Sequence, residues 1–283
     1  MSSHTLNFSI ITPSYKQLDH LARCAASVAA QTVDARVEHI IQDGGTGAEF
    51  DRWAAGQSFA KCYQQPDGGM YDAINRGFAK ASGDVLAWLN CDEQYVPGAL
   101  AKVADHFARH PQTDILFGDI IVCDAELNPV CYRQAILPSR SHIRRCFLPT
   151  FSAATFVRRK VIDDGHLLNT RFRAIADAVW IHGLLGSGYR PDTLPEPLSL
   201  FVRTGENLGQ TPASLREARE WRGLGSSRAR IEARFFGAIH HVRKLLAGAY
   251  VGRRVDFAYI SGNPPVERRF TGTLGGKWPG QPS

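Results

Sequence analysis

The feature that most constrains this chain is an alternation, through its first 120 residues, of short apolar runs with amphipathic stretches. Each run ends in a polar or glycine-rich cluster. Phe8-Ser9-Ile10-Ile11 stops at Thr12-Pro13-Ser14, after which Leu18, Leu21, Ala25 and Val28 recur at helical spacing. Val37 to Ile41 stops at Asp43-Gly44-Gly45. A weaker run around Cys62-Tyr63-Gln64 stops at Pro66-Asp67-Gly68-Gly69, before a helical stretch over 70–81. Val85 to Leu89 is followed by Asn90-Cys91-Asp92-Glu93; Pro97 then opens a helix to about His110, and Ile115-Leu116-Phe117 begins another strand. Strands alternating with helices predict an α/β fold, a mostly parallel sheet flanked by helices. Ligands of such sheets bind beyond the carboxyl ends of the strands, so the four clusters are expected on one rim.

Composition narrows the class. With 44% hydrophobic and 21% charged residues, the chain has the makings of a packed domain rather than of a disordered one. No apolar run reaches the roughly 18–20 residues needed to cross a bilayer, and Met1 to Asn7 lacks the pattern of a secretory signal. The six cysteines show no CxxC pair and read as reduced, buried small hydrophobes of a cytoplasmic protein. Dinucleotide-binding, P-loop and HExxH motifs are absent.

The net charge of +6 is unevenly placed: Ala213 to Phe270 holds twelve Lys/Arg against five Asp/Glu, and the rest is near neutral. Within it, Ala213–Arg222 and Ser227–Tyr250 read as basic helices. Ile231, Phe235, Ile239, Val242 and Leu246 form one apolar stripe, with Arg228, Arg230, Arg234, Arg243 and Lys244 mostly off it. Two destinations for this stripe stay open, the body of the protein or an anionic membrane surface. The final dozen residues read as a loose tail. The expected organisation is a domain over 1–205 and a helical, basic extension over 206–283.

Each polar cluster has a chemical and a plain reading. Adjacent Asp92 and Glu93 after a buried strand suit a hard divalent cation shared with substrate phosphates, or a solvated surface turn. Asp43 with Gly44-Gly45 suits hydrogen bonding to a base or ribose, or a simple Asp-Gly turn. Asp67, Gly68 and Gly69 lead into a helix where Asp72 and Asn75 share a face; its start and Arg76 could hold an anion, or merely begin a helix. Asp177 opens an apolar helix, as a general base of raised pKa or as a dipole-stabilising acid.

In this order, Ile10-Ile11-Thr12-Pro13-Ser14-Tyr15, Ile41-Gln42-Asp43-Gly44-Gly45, Pro66 to Gly77, Gly83-Asp84, Trp88 to Glu93 and Ala176-Asp177 resemble the family 2 glycosyltransferases, inverting enzymes of the Rossmann-like GT-A fold. The resemblance covers about residues 6–205. It implies that Thr12, Pro13 and Tyr15 border a nucleotide and that Asp43 binds its base, usually uracil. It places Asp67, Asp72 and Asn75 in the nucleotide–sugar cleft, and Asn90 and Asp92 at the ends of the family's DxD motif. Asp177 matches the base that deprotonates the acceptor hydroxyl. Asn90 replaces the first acid of DxD, so Asp92, helped by Glu93, is left to hold Mn or Mg. Ile74 stands where many relatives carry Arg, leaving Arg76 to neutralise the diphosphate. Ala176 stands where a Glu is often found.

The expected function is therefore metal-dependent, inverting transfer of a sugar from a nucleotide-diphosphate donor, UDP above all, to a glycan or lipid-linked acceptor in cell-surface polysaccharide synthesis. The expected location is cytoplasmic, with peripheral contact at the inner membrane face through the basic helices. Two other classes compete: a non-catalytic sugar-nucleotide-binding homologue, and a nucleic-acid module. The second lacks interleaved aromatics and known motifs, so no nucleic-acid partner is expected.

Overall fold

The computed structural model describes residues 6–204 and 211–278. The boundary expected at residue 205 falls outside the described residues, as do Met1–Thr5 and the last five positions. Three strand–helix units and a fourth strand open the described chain: β1 (Phe8–Ser14), α1 (Leu18–Ala29), β2 (Val37–Asp43), α2 (Ala48–Ala55), β3 (Ala60–Gln64), α3 (Met70–Phe78) and β4 (Val85–Trp88). There follow β5 (Gln94–Tyr95), α4 (Ala99–Arg109), β6 (Ile115–Cys123), β7 (Pro129–Arg133), α5 (Arg140–Arg145), a single 3-10 turn at Ser152–Ala154, β8 (Thr155–Arg158), α6 (Lys160–Asp163), α7 (Ala176–Gly186) and β9 (Pro191–Val202). The remainder is α8 (Pro212–Arg222), α9 (Ser227–Leu246) and the hairpin β10 (Arg253–Ser261) and β11 (Val266–Leu274).

The nine-stranded sheet has the order β3-β2-β1-β4-β8-β6-β9-β5, with β7 on β6. Strands β1 to β4, β6 and β9 run one way; β5, β7 and β8 run against them. The mostly parallel α/β sheet read from the sequence is therefore present; of its antiparallel strands, β7 and β8 come from the region from 120 to 205, whose weaker patterning left them unplaced, and β5 from 94–95.

Alternation along β1 decides which layer each side chain joins. Phe8 and Ile10 pack with Cys24 and Val28 of α1 and with Val103 and Phe107 of α4. Ile11 turns to the other face, with Tyr71, Ile74 and Phe78 of α3 and Trp180 and Leu184 of α7. Trp88, Phe78 and Trp180 meet there, Trp88 and Trp180 with ring centroids 5.6 Å apart. Full burial of each such side chain contributes about 1.5–3 kcal/mol, so this two-faced pattern is what drives the sheet to be covered on both sides.

The basic extension holds a surprise at each end. The helices over 213–222 and 227–250 are there as α8 and α9, but 253–274 forms a hairpin that the sequence reading did not place. Its signal was alternation (Val255, Phe257 and Tyr259 between Arg254, Asp256 and Ala258) broken by Asn263-Pro264-Pro265. Gln94 of β5 docks it, exchanging two 2.8 Å hydrogen bonds with the backbone of Ile260. In α9 the apolar stripe faces outward: Ile231 is 67%, Phe235 61% and Leu246 84% exposed. Small and polar residues, among them Ala229, His240 and Lys244, are the buried ones instead.

One buried carboxylate ties the first three strands together. Glu38 Oε2 accepts from Ser9 Oγ at 2.6 Å and from Ser82 N at 2.8 Å, while Lys61 Nζ lies 2.6 Å from Oε1. Burial alone would raise its pKa, but the hydrogen bonds from Lys61, Ser9 and Ser82 outweigh it and hold the carboxyl down at about 2. A depressed folded-state pKa gives stability that is complete above the unfolded carboxylate's range and is lost as pH falls towards 2. Glu38→Gln should therefore destabilise the fold by about 2–3 kcal/mol at pH 7. It should also flatten the fall in stability between about pH 4.5 and 2, read by urea unfolding across pH.

Candidate functional site

Parallel pairing sets the carboxyl ends of β1, β2, β3 and β4 side by side. Gly44 N donates to Ser14 O at 2.8 Å, Gln65 N to Asp43 O at 2.9 Å and Leu89 N to Ile11 O at 2.9 Å, so the loops leave from one edge. All four polar clusters lie on that rim. Gly44 is forced there by close approach: a Cβ would sit 2.8 Å from Asp67 Oδ2. Gly69 has φ +114, and its missing Cβ leaves room for the Arg173 guanidinium.

The rim residues divide into those held by the fold and those left open. Thr12 is fully buried, and its hydroxyl hydrogen-bonds His39 Nε2 at 2.9 Å. Its side chain thus joins β1 to β2. Pro13 is buried too, while Tyr15 just beyond is 54% exposed. Asp43 is fully buried and caps its own loop: Oδ1 accepts from Thr46 N at 2.6 Å and Gly45 N at 3.0 Å, and Oδ2 from Thr46 Oγ1 at 2.7 Å. Asp67 Oδ1 accepts from Gly69 N at 2.8 Å.

Along α3 the polar pattern is likewise engaged. Arg76 forms an ion pair with Asp72 at 2.8 Å and donates to Pro66 O at 2.8 Å, so the cation expected to meet a diphosphate already has an acid partner. Asp72 also accepts from Gly68 N at 2.8 Å, bracing the glycine turn. Asn75 clamps a distant loop, donating to Leu168 O at 2.8 Å and accepting from Leu168 N at 3.0 Å. That pairing makes Asn75 a brace between α3 and the Leu168 loop.

The acids after β4 are the opposite case. Asn90 N donates to Glu93 Oε2 at 2.9 Å, which curls the turn around a glutamate only 1% exposed. Glu93 Oε1 and Asn90 Oδ1 are buried acceptors with no donor among the described residues. Burial raises the pKa of Asp92; burial and the neighbouring Asp92 raise that of Glu93, with Asp177 adding to it. Acceptors without donors and acids that repel one another are what a bound cation or hydroxyl donor would relieve, so these residues fit a divalent metal. Asp92, less buried than Glu93, is the carboxylate with access.

A separate grouping of metal-ligand type, His106, His110 and Asp192, has its ligand atoms within 4.8 Å of one another. It lies at the starts of β6 and β9, where Leu116 pairs with Asp192, the edge opposite the rim. It is not part of the Asp92 turn.

Asp177 opens α7 on the rim side. Its Oδ1 accepts from Ala178 N at 2.8 Å and from Tyr71 Oη at 3.4 Å; among the described residues Oδ2 takes no hydrogen bond. Burial raises its pKa, with the Ala178 and Tyr71 hydrogen bonds and the charge of Arg222 acting against the rise. The loop leading to it is gripped from outside the sheet domain. Glu217 of α8 accepts from Arg173 N at 2.8 Å and Ala174 N at 2.9 Å, and Arg173 donates to Gly68 O. Tyr71, Arg173, Glu217 and Arg222 escaped the sequence reading, because each works through a partner remote along the chain; only the Tyr71 position, inside the matched motif, carried a usable hint.

Residues 9–166 match the family described as Glycosyl transferase family 2. An uncharacterized glycosyltransferase of Mycobacterium tuberculosis (strain ATCC 25618 / H37Rv) is 38% identical over 113 residues, 39% of this chain and 43% of that one. The PGL/p-HBAD biosynthesis glycosyltransferase of Mycobacterium bovis (strain BCG / Pasteur 1173P2) is 33% identical over 178 residues, 60% of this chain and 66% of that one. The match thus spans less than half the length of the first of these relatives. Among solved structures, S. aureus TarS 1-349 in complex with UDP-GlcNAc superposes with a TM-score of 0.55 at 16% identity, over 85% of this chain and 73% of that one, which shows the shared GT-A-like fold. With more than half of its length matched, the chain belongs to glycosyl transferase family 2.

Proposed function

We propose that the rim binds a UDP-sugar and that Asp177 is the base for inverting transfer to a hydroxyl of a glycan or lipid-linked acceptor. The observation that carries this reading is the convergence of Asp92, Glu93 and Asp177, from two distant segments, within electrostatic reach at the carboxyl edge of the sheet. TarS, which shares the fold, has been solved with UDP-GlcNAc and with UDP, which supports a UDP-type donor.

In this mechanism Asp177 accepts the proton as the acceptor oxygen attacks the anomeric carbon. The bond from that carbon to the diphosphate oxygen breaks, and its electron pair leaves with UDP. A carboxyl of raised pKa is a better match to proton transfer near neutral pH than an ordinary one. Asp92 would hold Mn or Mg, with Glu93 behind it fixing the turn, and the cation when bound would neutralise charge on the leaving diphosphate. Asn90 Oδ1 is free to accept from a ribose hydroxyl. With Arg76 paired to Asp72, Arg173 is the cation that meets the Gly68–Gly69 turn.

Asp177→Asn should lower transfer by about 10²–10⁴ while leaving UDP affinity, measured by calorimetry, unchanged. Normal turnover would remove Asp177 from the role. Asp92→Ala should abolish the Mn-dependent part of UDP binding in the same titration. If binding persists with its metal dependence intact, the metal is held elsewhere.

The outer face of α9 supports a further part of the reading, peripheral contact with an anionic membrane. No described helix is long and apolar enough to cross a membrane. Yet Ile231, Phe235, Ile239, Val242 and Leu246 all stand exposed on one face, flanked by exposed Arg228, Arg230 and Arg234. A continuous apolar stripe edged by arginine suits the headgroup boundary of an anionic bilayer. Phe235→Ser with Leu246→Ser should cut sedimentation with phosphatidylglycerol vesicles by about tenfold or more. Equal sedimentation of wild type and variant would reject the membrane contact.

A further inference from the structure

Beneath α9, on the face turned away from its exposed stripe, lies a cavity of about 420 Å3. It shares no lining residue with the rim cluster. Lys244, His240 and Gly237 form its α9 wall, Arg133 comes from the end of β7, and Phe147 and Trp278 are among the aromatic walls. None of its described lining residues is acidic.

The cations in it are poorly provided for. Lys244 is only 8% exposed, yet among the described residues its Nζ has no hydrogen bond or carboxylate partner; it lies 4.3 Å over the Tyr250 ring. Arg133 donates through Nη1 to Gly276 O at 3.0 Å and lies 5.5 Å over Trp278, but its Nε is buried with no acceptor among the described residues. The two repel one another: burial and the charge of Arg133 bring the Lys244 pKa down to about 8. Burying two neighbouring cations without a counter-charge is unfavourable, and a bound anion is the direct remedy. Arginine and lysine converging on a pocket is also the donor set that phosphate oxygens accept from, while flat aromatic walls suit an organic ring or chain beside it.

We propose that this cavity is a second ligand site that takes the phosphate group of a phosphate ester between Arg133 and Lys244, the organic body of the ester lying against Phe147 and Trp278. The site is tied to the loop that supports the reaction centre. Phe147 stands two residues after Arg145, whose Nη1 donates to Arg222 O at 2.8 Å, and Arg222 is within electrostatic reach of Asp177. The inference does not depend on the transferase reading.

The test is calorimetric titration of the full chain with glucose 1-phosphate, glycerol 3-phosphate and inorganic phosphate, each with UDP and Mn already saturating. Phosphatidylglycerol and phosphatidylcholine vesicles form a parallel arm. A soluble ester should bind saturably in the presence of UDP and weaken about tenfold or more in Lys244→Met and in Arg133→Gln. Because Lys244→Met removes a repulsion and keeps side-chain length, its Tm should not fall, which separates loss of binding from loss of fold. Should the soluble esters stay silent while phosphatidylglycerol vesicles bind and lose as much in Lys244→Met, the phosphate is that of a lipid headgroup and the site stands. Ester binding displaced by UDP, or no difference between wild type and both variants in either arm, overturns the proposal.

Discussion

Parallel pairing of β1 with β2 and β4 is the constraint on which the rest of this molecule depends. Neighbouring parallel strands end side by side, so loops separated by dozens of residues in sequence leave the sheet at one edge. Asp43, Asp67 and the Asn90–Glu93 turn are gathered by that rule alone. The glycines among them follow from the crowding it creates, as the closeness of Gly44 to Asp67 shows. The buried Glu38 clamp holds the three strands together from the opposite end.

Within the rim, polar residues sort by whether the fold already satisfies them. Thr12, Asp43, Asn75 and the Asp72–Arg76 pair have partners and shape the walls. Asn90 Oδ1 and Glu93 Oε1 have none, and Asp177 keeps one oxygen free of hydrogen bonds among the described residues. A carboxylate or amide without a donor inside a protein is unfavourable, so these positions mark where the free energy of ligand binding is available. The contrast separates structure from chemistry more sharply than residue type does.

Much of this was legible in the chain itself. Short apolar runs and helical spacing located β1, β2 and β4 with α1 and α3, though not α2, and the strand-then-cluster grammar predicted the common rim. What was not legible has one physical cause, dependence on partners far along the sequence. Nothing near Asn75 announces Leu168, and nothing near Thr12 announces His39. The apolar stripe of α9 was visible, but which side faced the protein was decided by contacts with α5, where His142 meets the Phe236 carbonyl and the His240 ring, that no local pattern encodes. The hairpin after α9 was hidden by charge on its exposed face, although its alternation was there to be counted.

The grip of α8 on the loop before Asp177 has a consequence for how such a chain can change. Glu217 holds the amides of Arg173 and Ala174, groups that every non-proline residue carries. The fastening is therefore indifferent to which side chains stand at those two positions. Substitutions there can alter what the loop presents to an incoming molecule while Asp177 stays where it is, so novelty at the mouth of the site and constancy at its centre are mechanically separable.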